Sequence, residues 1–295
     1  MRRTRFFAAL LTCILLTPFM CAGCTKDHRS SKNAGFLITD FTISGTQALS
    51  SDELATIANE LTGVCFDENS EQIQEYVKAS FQDRGYFGVE VKNLRIKSSD
   101  PLAVPKPAML EADVLEGRQY SLAEIGFIGN HAFNADELRN KFPLKKGDLF
   151  ARDKVASGLD HLRKLYVSSG FIELTFIPDT ENLSNATVNL SVSVMEGRQY
   201  RMGRLEIFAK KEVADKLRAE WQLPEGGVFD RTYLDKYIDS NRALLPTEFH
   251  REHVQIVRDC PDATVDVRLP LDAMDPRSQS LPKNIECDPP DNSSK

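Results

Sequence analysis

One pentapeptide occurs twice in this chain and sets the frame for everything around it. Glu116-Gly117-Arg118-Gln119-Tyr120 returns unchanged as Glu196-Gly197-Arg198-Gln199-Tyr200, 80 residues further on. Five mixed residues in the same order mark the join between copies of a repeating unit. An alternating, strand-like run precedes the join (Val188 to Met195 in the second case). Another follows it, with Ile125 and Phe127, or Leu205 and Ile207, on the repeating face. A glycine between two strand patterns supplies a bend that other residues resist, so one unit's last strand leads almost directly into the next unit's first. Gly117, Tyr120, Gly197 and Tyr200 are therefore the expected inter-domain join residues.

Read outward from these joins, the chain holds three copies of one pattern. The first opens with a strand-like run, Phe36 to Ile43, and a turn at Ser44-Gly45. Ser50-Ser51-Asp52-Glu53 then starts a helix with Leu54, Ile57, Ala58 and Leu61 on one face. Ile73, Val77 and Phe81 mark a second helix stopped by Gly85, and strands are expected over Tyr86 to Ile96 and Ala108 to Leu115. The second copy repeats this order. Its strand is Tyr120 to Ile128, and Asn134-Ala135-Asp136-Glu137 starts its first helix. Val155, Leu159, Leu162 and Tyr166 stripe a second helix ended by Gly170, and Phe171 to Ile177 with Ala186 to Met195 forms a hairpin. The third copy is the most worn. Arg201 to Phe208 is its first strand, Val213 and Leu217 mark one helix, and Leu234, Ile238 and Leu245 mark the next. Phe249 to Val257 and Ala263 to Leu269 make its hairpin. Each unit thus reads strand, helix, helix, strand, strand: an α+β fold in which two amphipathic helices cover one face of a three-stranded sheet.

The ends of the chain speak to its compartment. Arg2, Arg3 and Arg5 precede an uncharged run, Phe6 to Met20, with the pattern of a secretory signal peptide (residues 1–23) and too short to read as a membrane span. Ala22-Gly23-Cys24 resembles a bacterial lipoprotein processing site, which would place a lipid on Cys24; ordinary signal-peptidase cleavage is the other reading. Residues 24–35 form a polar tether that reaches ~40 Å at most. A lipid there would keep the first domain near the outer membrane on its periplasmic side; without it the chain is soluble in the periplasm. Of the six cysteines, Cys260 and Cys287 could bridge, pinning the tail and leaving Cys65 as a small buried hydrophobe.

Composition narrows the function class. Removing the three leader arginines from 37 basic residues against 43 acidic ones shifts the formal charge from −6 to −9. That argues against nucleic acid, which needs a basic footprint. His250 and His253 lie three apart in an expected strand and face opposite ways, so no metal site is expected there. No acid, base and nucleophile converge in the sequence. The expectation is a non-enzymatic protein with no cofactor and no small-molecule substrate.

The order of elements, with Ile125-Gly126-Phe127-Ile128-Gly129-Asn130, Leu144-Lys145-Lys146-Gly147-Asp148-Leu149-Phe150 and Leu162 to Gly170, resembles the POTRA (polypeptide-transport-associated) domain. The resemblance covers about Phe36 to Pro270 and implies domains at 36–118, 119–198 and 199–270, followed by a Pro-rich polar tail, 271–295. Such domains form the periplasmic arm of outer-membrane barrel-assembly proteins and two-partner secretion transporters, usually ahead of a membrane β-barrel. Only 25 residues follow Pro270 here, so barrel insertion is not carried over. The resemblance implies that each unit's second strand lies at a sheet edge and takes an extended polypeptide as an added strand. The partner-binding positions would then be Val89 and Val91 in the first unit, Phe171, Glu173 and Thr175 in the second, and His253 and Gln255 in the third. Expected partners are other envelope proteins, either barrel precursors or an assembly component. The competing reading is a scaffold that docks one fixed partner in a cell-envelope complex.

Overall fold

The structure, a computed structural model, describes residues 35–66, 70–183 and 185–272. The signal peptide, Cys24, Cys287 and nearly all of the tail lie outside them. The described chain divides into two compact units, one of residues up to Ser80 with Val89–Gly117, the other of Phe81–Gly88 with everything after Gly117. The first unit holds one sheet and the second holds two.

In the first unit the order is β1 (Phe36–Ser44), α1 (Ser51–Leu61), β2 (Cys65–Phe66), α2 (Ser70–Gln82), β3 (Glu90–Ser98) and β4 (Lys106–Leu115), with the end of α2 counted in the second unit. The sheet runs β2-β1-β4-β3, β1 and β4 being parallel and β3 antiparallel to β4. Central strand β4 alternates as the sequence does: Ala108, Leu110, Ala112 and Val114 are buried beneath the helices, which bury Ile57, Leu61, Ile73 and Val77. Helix α1 begins where Ser50 and Glu53 close a reciprocal capping box, satisfying two amides that the first turn leaves open.

The second unit repeats this twice. β5 (Ser121–Ile128), α3 (Ala135–Arg139), α4 (Arg152–Ser168), β6 (Thr175–Asn182) and β7 (Thr187–Met195) build a sheet of order β5-β7-β6. Then β8 (Arg201–Phe208), α5 (Lys211–Ala219), α6 (Arg231–Ser240), β9 (Gln255–Asp259) and β10 (Thr264–Pro270) build one of order β8-β10-β9. Asn134 and Glu137 form the same capping box before α3. In all three sheets the first strand pairs parallel with the last, and its register shifts at one place early in the strand. The second core gathers Leu122, Phe150, Leu162 and Tyr166 around Val188, Leu190 and Val192 of β7. The third gathers Phe229, Leu234, Tyr237, Val265 and Val267, with Trp221 packed edge-on to Tyr237 as a structural residue.

Several expectations need correction. The first sheet has four strands, because the two-residue β2 adds to β1. The strands expected from Tyr86 and Phe171 begin later, at Glu90 and Thr175, and β6 continues to Asn182. The strand-like pattern before them has another cause: Tyr86, Val89 and Leu174 are buried from a turn that follows each helix-ending glycine. Residues Arg251–His253 form a short 3-10 helix in which the His250 amide donates to His253 Nδ1, so His253 is not in a strand. Cys65 is half-buried and disulfide-bonded, not a buried free thiol, and Cys260 is disulfide-bonded as well.

Glycine is required where the first strand turns toward α1 or α3. Gly45 and Gly129 sit at φ +88° and +82°, and a Cβ on Gly129 would come 2.5 Å from the Val194 carbonyl oxygen. Gly129→Ala is expected to destabilise the second unit by about 2 kcal/mol, read as a lower denaturation midpoint at unchanged slope.

Candidate partner-binding edges and the repeated join

Each sheet has two edges, and they are not alike. On the side of the first strand, a segment from the interhelical loop covers the start of the edge. In the first unit Ile38 donates to the Val64 carbonyl and Gly63 to that of Ile38, and β2 continues the pairing. In the second sheet Leu122 donates to Asp148, Gly147 to Leu122 and Phe150 to Tyr120. In the third Met202 donates to Gly227, Gly226 to Met202 and Phe229 to Tyr200. Strand β2 is thus the first unit's version of a cover found in all three. On the other side, no strand lies beyond β3, β6 or β9 among the described residues. An uncovered row of backbone donors and acceptors is a template for another strand unless side chains discourage it.

These outer strands differ in their side chains. β3 is basic and held down by its neighbour: Arg95 and Lys97 reach Glu111 on β4 at 3.0 and 2.5 Å. The hydrogen bonds from Lys97 and then Arg95 hold the Glu111 carboxyl below the usual range. β6 is acidic, with Asp179 and Glu181, exposes Ile177 and contains Pro178, a residue that sheets confine to their edges. β9 is short and only half exposed. Of the expected binding positions, Val91 lies in β3 opposite Val114, Thr175 opens β6 opposite Met195, and Gln255 opens β9 opposite Arg268. Val89 is buried ahead of β3, Phe171 and Glu173 fall in the turn before β6, and His253 precedes β9.

Glu173 has a different task. It accepts from the Tyr200 hydroxyl at 2.7 Å and pairs with Arg258 at 2.9 Å, all three largely buried. Burial first, and then this carboxylate, push the Tyr200 phenol up to about 12, against the pull of Arg258 and Arg198. The residue ties the turn that follows α4 to the third sheet.

The pentapeptide explains itself in the same way. Glu116 accepts from the amides of Gln47 and Ala48 at 2.7 and 2.9 Å, and Glu196 from those of His131 and Ala132 at 2.8 and 3.0 Å. Each glutamate therefore clamps the turn that follows its own sheet's first strand. Gly117 and Gly197 turn at φ +72° and +70°. The Gln119 side chain then donates to the Arg84 carbonyl, and that of Gln199 to Ser169; the Tyr120 and Tyr200 amides donate to Gly85 and Gly170. Two residues after each of those glycines an apolar side chain enters the next core. Phe87 lies 4.6 Å from Phe150, centroid to centroid, and Ile172 packs against the third core. Asp83 accepts from the Asp153 amide at 2.9 Å, so the segment Phe81–Gly88 also caps α4, whose own Ala151 cannot. Sequence reading missed Phe87 and Ile172, although the repeat of glycine, aromatic, apolar, any residue, aliphatic (Gly85 to Val89, Gly170 to Leu174) carries the signal.

Residues 120–197 match the POTRA family model, "Surface antigen variable number repeat". The fold of the described chain is that of POTRA domains: the crystal structure of Haemophilus influenzae BamA POTRA3-5 superposes with a TM-score of 0.58 and 19% identity, over 80% of this chain and 94% of that one. A curated protein of Treponema pallidum named "Putative outer membrane protein assembly factor" is 26% identical over 205 residues, 67% of this chain and 24% of its own length. The chain thus spans about a quarter of that relative. No helix among the described residues is long and apolar enough to cross a membrane, and those residues form three small sheets and no barrel.

Two outcomes follow for the join. Phe87→Ala should destabilise the second unit by ~2 kcal/mol through lost burial, measured by denaturation. For Glu116, burial opposes the charge, but the amides of Gln47, Glu116 itself and Ala48 outweigh it and lower its pKa. A lowered carboxyl contributes stability that is complete above its unfolded value of ~4.3 and is lost as pH falls through the lower folded value. Glu116→Gln should therefore cost about 1 kcal/mol at neutral pH, the gap to wild type closing below pH ~4.

Proposed function

We propose that this row of POTRA-fold domains is a non-catalytic, periplasm-facing protein-binding module in outer-membrane protein assembly or transport. It takes extended polypeptide as an added strand at the outer sides of β3, β6 and β9. The observation that carries this reading is the asymmetry of the sheets: one edge is covered at its start by the same loop in all three, while the other ends on a strand with no neighbour among the described residues. The kinship of the middle domain and the named role of the Treponema pallidum relative supply the setting. The leader and Cys24 support delivery to the periplasm and a lipid anchor in the outer membrane.

Magnitudes shape the mode of binding. Four or five backbone hydrogen bonds at ~1 kcal/mol net each are largely offset by the cost of ordering a flexible peptide. One edge then holds a client only at high-micromolar affinity or worse, and several edges acting on one long client gain by effective concentration. The side chains around the three edges differ in charge, so alternate residues of the client would be sorted differently along the row.

A peptide copied from a membrane β-strand, added to the protein while amide resonances are followed by NMR, tests this. Shifts confined to β3, β6 or β9 are expected. The same peptide with alternate backbone nitrogens methylated keeps every side chain but loses its donors, and it should bind at least about tenfold more weakly. Equal binding of the methylated peptide would refute strand addition.

A further inference from the structure

Away from the sheet edges, a cleft of about 820 Å³ opens between α4 and α6 in the second unit. Its lining carries six cationic side chains, those of Lys141, Arg163, Lys164, Arg231, Lys236 and Arg251, against the two aspartates Asp235 and Asp239. Both aspartates are engaged, Asp239 by Arg251 and Asp235 by Arg231 at 3.9 Å, and Lys164 holds Asp160 at 2.7 Å. Lys141 and Lys236 are exposed and have no carboxylate within ion-pair distance among the described residues. His161 donates from Nδ1 to the Lys141 carbonyl at 3.0 Å, tying the loop that carries Lys141 to α4. Leu165 and Val167 contribute apolar surface to the same cleft.

This positive excess stands on a chain whose formal charge is −6. Charge of one sign collected in a concave site draws in the opposite sign and selects against like-charged partners. We infer that the cleft between α4 and α6 is a docking site for an acidic, carboxylate-bearing polypeptide segment of a partner protein. The volume lies within the range of clefts that hold ligands, and a recess between two helices receives a protruding segment. A bilayer surface is flat and is met by an amphipathic face lying in its plane, not by a recess. The recognition uses side-chain charge on helices, so it stands apart from strand addition and goes beyond it.

A fluorescent Glu/Ser peptide titrated into the full chain, with Gln/Ser and Lys/Ser peptides as controls, tests the inference. The acidic peptide should bind and weaken as salt rises, and the controls should not bind. Lys141→Gln with Lys236→Gln should weaken it about fivefold, in line with two lost exposed ion pairs. Lys146→Gln, an exposed charge outside the cleft, should leave affinity unchanged, and circular dichroism will show all variants folded. Binding of the membrane-strand peptide at the edges should be the same in the double variant, which separates this result from the fate of strand addition. Equal affinity in the double variant, equal binding of the Gln/Ser peptide, or phosphatidylglycerol vesicles displacing the acidic peptide from the cleft would each overturn the assignment.

Discussion

The second unit is held together by a reach of two backbone hydrogen bonds. Tyr120 and Tyr200 donate back to the glycines that end the preceding helices, Gly85 and Gly170, and glutamine side chains one residue earlier bond the neighbouring carbonyls. These contacts put the first strand of a sheet beside a turn made much earlier in the chain. With the turn fixed there, Phe87 and Ile172 can enter the cores ahead of them. A positive φ at Gly117 and Gly197 makes the reach sterically open, and Glu116 and Glu196 fix the chain just before it by clamping turns in their own sheets. The glutamate and glutamine of the pentapeptide recur because the carboxylate and the side-chain amide meet equivalent partners in both copies.

The same constraint shapes the edges. The interhelical loop is drawn against the first strand by its bonds to Leu122 or Met202, and this covers the start of that edge. Among the described residues nothing equivalent is drawn toward the other side, where the first strand of each hairpin, β3, β6 or β9, runs outermost. Charge tempers that exposure: the Arg95 and Lys97 pairs with Glu111 on the first sheet, and Asp179 and Glu181 with Pro178 on the second, discourage indiscriminate pairing of copies.

Much of this was legible in the residues. The central strands alternate strictly, Val188, Leu190, Val192 and Val194 being buried in step, and such a period has one interpretation. Helix starts were legible because Ser50 with Glu53 and Asn134 with Glu137 are chemical signatures of a first turn. What misled was apolar patterning without a strand. Tyr86 and Val89, and Phe171 and Leu174, recur because a turn presents every third side chain to the core, and only the coordinates distinguish that from a pleat. Glu173 looked like an edge residue for this reason, and its true partners, Tyr200 and Arg258, lie 27 and 85 positions away. The cover over the first strand was hidden as well, since its bonds come from backbone groups that any sequence supplies.

The borrowed segment Phe81–Gly88 gives the chain a direction. The ring that fills the second core and the carboxylate that caps α4 are both supplied by residues nearer the N-terminus, and Ile172 does the same for the third core. Each of these two sheets is thus finished by side chains that lie earlier in the chain than its own first strand. Removing Phe81–Gly88 would empty the place of Phe87 in the second core and uncap α4, while removing the chain after Gly197 would strip Glu173 of Tyr200 and Arg258 and uncover Ile172, so the second and third sheets lean on each other from both directions.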